Sequence, residues 1–395
     1  MQWAKRMEPL TAPGVFTVLK NKKIELHAQG MDVIDLSVGS PDNAPPDFVV
    51  EEMKRALDDP ACFQYAISDL PQLRAAAARW YARRFGVALN PDSEITSLLG
   101  SQEGLGHISL ALVNPGDVVL APNPGYPVFH AGPQLAQAEL VTVPMLAERG
   151  FSMDLRDIPT DTARRAKLFI VSYPNNPTTA MAPEGFHAEL VEFAKTFDVP
   201  ILYDNAYCEL VYDGGRADSF LATPGAKDVG MEFNSLSKTY GFAGGRCGFA
   251  LGNADMIAKL SALKSHLDYG MFLPVQRGAI AALEGCQDCV ERTREAYRAR
   301  RDVLCDGLSG IGWPVARPSA TMFVWAALPR GFSDSTAFAM ELADRSGVLV
   351  TPGVSFGSFG EGHVRMALVQ STERMAQAVT RIKECGILEI HDRPI

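Results

Sequence analysis

The chain has 395 residues, of which 47% are hydrophobic and 21% charged, which is enough to bury a large core over two domains and leaves no room for a disordered chain. A formal net charge of −9 without any clustered basic stripe speaks against nucleic acid or an anionic membrane surface as a partner and favours a small soluble ligand. The opening Met1-Gln-Trp-Ala-Lys-Arg-Met-Glu-Pro9 has no signal-peptide core, and no window offers the roughly 18 apolar residues of a membrane span, so a cytosolic protein is expected.

Helix and strand patterns alternate along most of the chain, which predicts an α/β layout without solenoid repeats. The opening segment, which contains Val33 to Gly39, is expected to join the smaller domain or clamp across a cleft. Asp47 to Asp58 and Leu73 to Phe85 read as helices, the second stopped by Gly86, and Glu94 to Leu99 as a strand running into Gly100. Ser101 and Gln102 then open a helix whose free amides suit a phosphate, although a plain helix start explains them equally well. Gly104 to Val113 continues that helix, Asn114-Pro-Gly-Asp117 turns the chain, and Val118 to Ala121 is the next strand. Lys167 to Ser172, Pro200 to Tyr203 and Met231 to Asn234 are short apolar runs bounded by turn residues, as expected of buried parallel strands. After Gln276 come a long charged helix, Val290 to Gly307, and the strands Thr321 to Ala326 and His363 to Val369. The expected division is a large ligand-binding domain over 45–285 and a smaller α+β domain formed by 1–44 with 286–395.

Seven cysteines, an odd number without an export signal, read as reduced thiols. Cys286 and Cys289 form one C-x-x-C in a segment that reads as helical, with no second pair or nearby histidine to complete a zinc set, and no metal site is expected.

The chemistry concentrates in Asn234-Ser-Leu-Ser-Lys-Thr-Tyr-Gly-Phe-Ala-Gly-Gly-Arg246. A lysine framed by hydroxyls and followed by an arginine suits a covalently held phosphorylated aldehyde, with Lys238 as the amine and Ser235, Ser237 and Arg246 as phosphate donors. That combination points to pyridoxal phosphate. Asp204 closes the run Val199-Pro-Ile-Leu-Tyr203, where a carboxylate can pair with a pyridine nitrogen, and Tyr207 lies three residues on, within reach of the phenolic oxygen; a helix-capping aspartate is the alternative. Tyr173-Pro-Asn-Asn-Pro-Thr178 offers Asn176 in a turn after a strand, and Pro124-Gly-Tyr-Pro127 holds Tyr126 where its ring could stack or simply pack. Arg365, out of pattern in a strand-like run, needs an anion; its planar fork fits an α-carboxylate, and an internal salt bridge is the competing reading.

These motifs resemble the class I/II aminotransferases, the fold-type I pyridoxal phosphate enzymes, over nearly the whole chain, and are most similar to the alanine, aspartate and LL-diaminopimelate branch. The resemblance implies a mostly parallel central sheet flanked by helices plus a smaller α+β domain. It implies that Lys238 forms the Schiff base and shuttles a proton, that Asp204 holds the pyridinium, that Tyr207 and Asn176 bond the phenolic oxygen, and that Tyr126 and Ala206 pack on the two ring faces. Ser101, Gln102, Ser235, Ser237 and Arg246 would bind phosphate, and Arg365, Asn176 and the backbone of Gly39 the substrate carboxylate. Tyr65 would reach the phosphate of a neighbouring subunit, which implies a homodimer with shared sites. The departures are the missing glycine in Tyr65-Ala-Ile-Ser-Asp-Leu-Pro71, Gly245 where tryptophan is common, Asn205 where many relatives have glutamate, and Phe16 where that branch often has tyrosine.

The expected function is amino-group transfer between an L-amino acid, alanine- or aspartate-like, and a 2-oxo acid such as 2-oxoglutarate, through a pyridoxamine phosphate form. LL-diaminopimelate transamination and a carbon–sulfur β-lyase reaction are the alternatives within the same cofactor class. A non-catalytic sensor domain is the alternative outside it, and would call for a fused DNA-binding segment that the opening residues do not supply.

Overall fold

A computed structural model describes residues 3–11 and 14–389. Its strands in chain order are β1 (Ile34–Asp35), β2 (Ile95–Leu99), β3 (Val118–Asn123), β4 (Glu139–Pro144), β5 (Ala166–Ser172), β6 (Ile201–Asp204), β7 (Gly230–Ser235), β8 (Cys247–Gly252), β9 (Phe323–Ala327), β10 (Val348–Leu349), β11 (Thr351–Pro352) and β12 (His363–Ala367). Seven of them form one sheet in the order β2-β8-β7-β6-β5-β3-β4. The pairs β7–β6, β6–β5, β5–β3 and β3–β4 are parallel, and β8 runs antiparallel to both of its neighbours.

The central strands are buried along almost their whole length because helices cover both faces, which leaves no solvent side to demand alternation. On one face Leu98, Leu105, Ile108, Phe129, Ile170, Leu202 and Phe233 pack together; on the other lie Tyr81, Leu120, Phe169, Val171, Tyr203 and Phe220. In a parallel sheet wound this way the strand ends gather on one edge, and the carboxyl ends of β5, β6 and β7 deliver Asn176, Asp204 and Lys238 to the same side.

A second, antiparallel sheet, β11-β12-β9, is built from the last third of the chain, and β10 pairs in parallel with β1. The helices Asp288–Gly310, Ser335–Ser346 and Thr372–Glu384 close its core around Trp313, Phe338, Leu342, Val364 and Ile382. The segment Val33 to Gly39 joins this sheet and also reaches the main one. Ile34 and Asp35 pair with Val348 and Leu349, the Leu36 carbonyl accepts from Ala367 N–H, and Gly39 sits over Lys238.

One local reading is corrected. The C-x-x-C segment is not one helix but a break between Leu273–Glu284 and Asp288–Gly310. Gln287 explains the break, because its side-chain amide donates to the carbonyls of Ala282 and Gly285 and so satisfies the end of the first helix. All seven cysteines are free thiols.

Candidate active site

A cavity of about 250 Å³ opens at the carboxyl edge of the main sheet. It is lined by every candidate residue named from the sequence except Tyr65. Tyr65 is 84% exposed, with its ring 6.0 Å from that of Tyr269 on the outer surface, so within one chain it takes no part in the cavity.

Lys238 stands on a single helical turn, Leu236–Thr239, whose start is capped by the Ser235 hydroxyl accepting from Ser237 N–H. Its Nζ donates to the carbonyl of Gly39 at 2.9 Å. Burial, with the nearby guanidinium groups of Arg365 and Arg246, brings the amine down to about 8 despite the opposing pull of Asp204. Asp204 ends β6 and is 6% exposed, and its Oδ1 is buried with no hydrogen-bond partner. Burial raises its carboxyl to about 7; the Ala206 N–H and Lys238 oppose that rise, and Glu232 adds to it. Tyr207, packed edge-on to Phe323, has its phenol pushed up by burial.

The end of the cavity where a phosphate is expected is built on glycine. Gly100 takes φ +78 ahead of the helix Ser101–Leu112, and a Cβ there would lie 2.4 Å from Arg246 Nη2. Arg246 is held by the carbonyls of Ala243 and Leu99, and Tyr126 Oη donates to Gln102 Oε1 at 2.8 Å. Glu103 fixes the turn by accepting from Leu99 N–H at 3.0 Å, and it pairs with the buried Lys264 at 2.7 Å.

At the other end Arg365, 2% exposed on β12, donates through Nη1 to Asn176 Oδ1 at 2.8 Å and through Nη2 to the Ser37 carbonyl at 2.9 Å. Its Nε is buried without a partner. The rings of Phe323, Phe356 and Phe16 lie 4.1, 4.7 and 5.7 Å from the guanidinium carbon, and burial lowers this arginine to about 10. No carboxylate of the described residues pairs with it, so the salt-bridge alternative is set aside. Of the two amides in the Tyr173–Thr178 turn, Asn175 builds the turn itself, donating to the Ser172 carbonyl and accepting from Thr178, which leaves Asn176 to face the cavity.

The arrangement suits pyridoxal phosphate on features of the structure alone: an unpaired buried carboxylate for a ring N–H, a low-pKa amine for an aldehyde carbon, and a cup of hydroxyls and guanidinium whose close approach a Cβ would block. Sequence reasoning assigned nothing to Val38, Leu105, Ala243 or Phe323, which also line the cavity. Phe323 could not be told from a core residue, because it sits in an apolar strand and only its register opposite Ala367 turns it under Arg365. Among the described residues one set, Glu103, His107 and Asp268, brings potential metal ligands together, but Lys264 already occupies its centre of charge.

Residues 31–382 match the family model of class I and II aminotransferases. An LL-diaminopimelate aminotransferase of Moorella thermoacetica is 45% identical over 384 residues, covering 97% of this chain and 98% of the relative. Among solved structures, substrate-bound BacF from Bacillus subtilis superposes with a TM-score of 0.93 at 35% identity, covering 97% of this chain and 98% of that one. A single mutant of aspartate aminotransferase from Thermus thermophilus gives a TM-score of 0.90 at 29% identity, covering 98% of this chain and 100% of that one.

Proposed function

The chain belongs to the class I and II aminotransferases, which depend on pyridoxal phosphate, and from that premise we propose how its residues divide the work. The observation that carries the reading is the pair of buried charged groups with an unpartnered atom in one cavity, Asp204 through Oδ1 and Arg365 through Nε. Lys238 would hold the cofactor's aldehyde carbon and then move the proton between the substrate α-carbon and the cofactor. With its amine near 8, about half of it is unprotonated at pH 8, against well under about 1% for an ordinary lysine. Asp204 would hold the ring nitrogen in its protonated form, and Tyr207 and Asn176 would bond the phenolic oxygen. Tyr126 and Ala206 would flank the ring, and Ser101, Gln102, Ser235, Ser237 and Arg246 would take the phosphate. When bound, the cofactor supplies an electron-withdrawing ring that makes the α-proton acidic.

Arg365, Asn176 and the Gly39 backbone would hold the substrate α-carboxylate, the guanidinium fork fixing its plane while the three phenyl rings keep water from it. We take 2-oxoglutarate as the amino acceptor and LL-diaminopimelate as the donor that the names of the relatives favour, with alanine and aspartate as its competitors. We infer further that two copies form a homodimer. Phe63, Tyr65, Ile67, Leu267, Tyr269 and Phe272 are exposed, with Phe63 edge-on to Phe272 and Tyr65 against Tyr269, and the Gly270 N–H bond to the Ala66 carbonyl ties the two segments; a partner would cover them and receive Tyr65.

The test is the absorbance spectrum of the purified protein, followed by single additions of LL-diaminopimelate, alanine, aspartate and glutamate with no acceptor present. Loss of the cofactor band on one addition identifies the donor. Release of pyruvate and ammonia from cysteine without an acceptor would instead support β-elimination. A protein that stays colourless with added pyridoxal phosphate would overturn the assignment of the site.

A further inference from the structure

Behind the cavity lies a second carboxylate for which the mechanism above has no use. Glu232 is the third residue of β7, fully buried, and in register with Tyr203 on the neighbouring strand, so it stands one position back from Asp204. Its Oε1 receives Tyr81 Oη at 2.8 Å and Asn205 Nδ2 at 3.0 Å, and its Oε2 receives Ser219 Oγ at 2.7 Å.

The protons in this network can be placed. Tyr81 Oη already accepts from Asn234 Nδ2, and Ser219 Oγ already accepts from Leu221 N–H, so each hydroxyl has its own hydrogen free for Glu232. Asn205 Nδ2 also faces the Asp218 carbonyl, which fixes that end of the amide as the NH2. Burial pushes the Glu232 carboxyl up, and the three donors that converge on it oppose that rise; none of its partners needs a proton from it, so the network suits the ionised form. Its titratable neighbours are Tyr81, Tyr203, Cys208 and Asp204, and none of them is a cation. Among the described residues no ion pair reaches it.

A buried charge without a counter-ion is costly to keep, and here it is kept beside the strand end that presents Asp204. Asn205, which Glu232 grips, is the residue that follows Asp204, and its backbone N–H is bonded to the Phe233 carbonyl. We propose that Glu232 is a positioning residue that holds the Asn205 turn and adds its own negative potential to that of Asp204, so that the site binds a cofactor whose ring nitrogen carries a proton in preference to one whose ring cannot. The inference rests on the assignment of Asp204 to the ring nitrogen.

Glu232→Gln is the test, because glutamine keeps the shape. Its oxygen can accept from Tyr81 and Asn205, and its amide can donate to Ser219 once that hydroxyl turns. The readout is the affinity of the cofactor-free protein for pyridoxal phosphate and for the analogue with a carbon in place of the ring nitrogen. Coulomb's law for unit charges on the order of 10 Å apart at an effective dielectric of about 20 predicts that the variant binds pyridoxal phosphate about tenfold more weakly, while its affinity for the carbon analogue stays within about twofold. Equal losses for both ligands would reduce Glu232 to a structural role, and unchanged affinity for both would remove it from the site altogether; either overturns the proposal. Should Glu232→Gln fail to fold, Tyr81→Phe takes one donor from the carboxylate and should give a smaller loss with the same selectivity between the two ligands. An Asp204→Asn variant that binds both ligands as wild type does would show instead that the underlying assignment of Asp204 is at fault.

Discussion

Replacing Arg365 with lysine asks whether the guanidinium acts as a fork or as a charge. In the wild type two of its nitrogens are committed, to Asn176 Oδ1 and to the Ser37 carbonyl, and a carboxylate approaching the fork adds charge-assisted bonds in the same plane. An ammonium keeps the charge but cannot hold Asn176, Ser37 and two carboxylate oxygens in one plane, and it loses the close stacking on Phe323 at 4.1 Å. One charge-assisted bond at roughly 1.5–3 kcal/mol and a cation–π contact at roughly 0.5–1 kcal/mol amount to about 2–4 kcal/mol, a loss of about 30- to 900-fold in kcat/KM. The assay is the single-turnover rate at which a donor amino acid bleaches the cofactor band, with cofactor content read from the same spectrum. A rate within about threefold of wild type at full cofactor content would refute the carboxylate role. A loss of cofactor with unchanged kcat/KM would move Arg365 to the cofactor instead.

Lys238→Ala should abolish both the cofactor absorbance band and turnover, and substantial remaining activity would remove this lysine from the chemistry. Asp204→Asn should stabilise the cofactor-free protein while weakening cofactor binding. Because the folded-state value is raised from 3.8 to about 7, this carboxyl contributes stability that is fully present below 3.8 and lost as pH rises through 7. The variant's advantage in urea unfolding should therefore grow between pH 4 and 7 by roughly 2–4 kcal/mol and then level off, and a pH-independent difference would refute the burial argument. Gly100→Ala puts a Cβ against Arg246 Nη2 at φ +78 and ψ 151, a conformation almost confined to glycine that costs an alanine roughly 1–3 kcal/mol. It should raise the dissociation constant for pyridoxal phosphate while leaving the affinity for the phosphate-free aldehyde unchanged, and equal effects on both would place Arg246 away from the phosphate.

What could be read in the sequence was what is local. Lys238, Asp204 and Asn176 each follow an apolar run that becomes β7, β6 or β5, so strand ends marked by turn residues already located them. Arg365 was conspicuous as a charge inside an apolar run. Glu232 carries the same signal in Met231 to Asn234 and went unread, because its partners Tyr81, Asn205 and Ser219 come from three other segments and meet only once the sheet is assembled. The antiparallel insertion of β8 between β2 and β7 was equally invisible, since a buried strand has the same apolar pattern in either direction. The break at Gln287 was missed because it depends on side-chain hydrogen bonds and not on periodicity.

The pairing of Ile34 and Asp35 with Val348 and Leu349, and of the Ser37 carbonyl with Arg365, sets an order in time as well as in space. A ribosome adding about 5–20 residues per second needs on the order of 15–70 s after making the first of these segments before it has made the last. Throughout that interval the main sheet can assemble, while the strand that roofs its ligand waits without a neighbour. The end of the cavity proposed to bind the carboxylate is thus completed late, and a nascent chain halted before Arg365 holds Lys238 without that guanidinium.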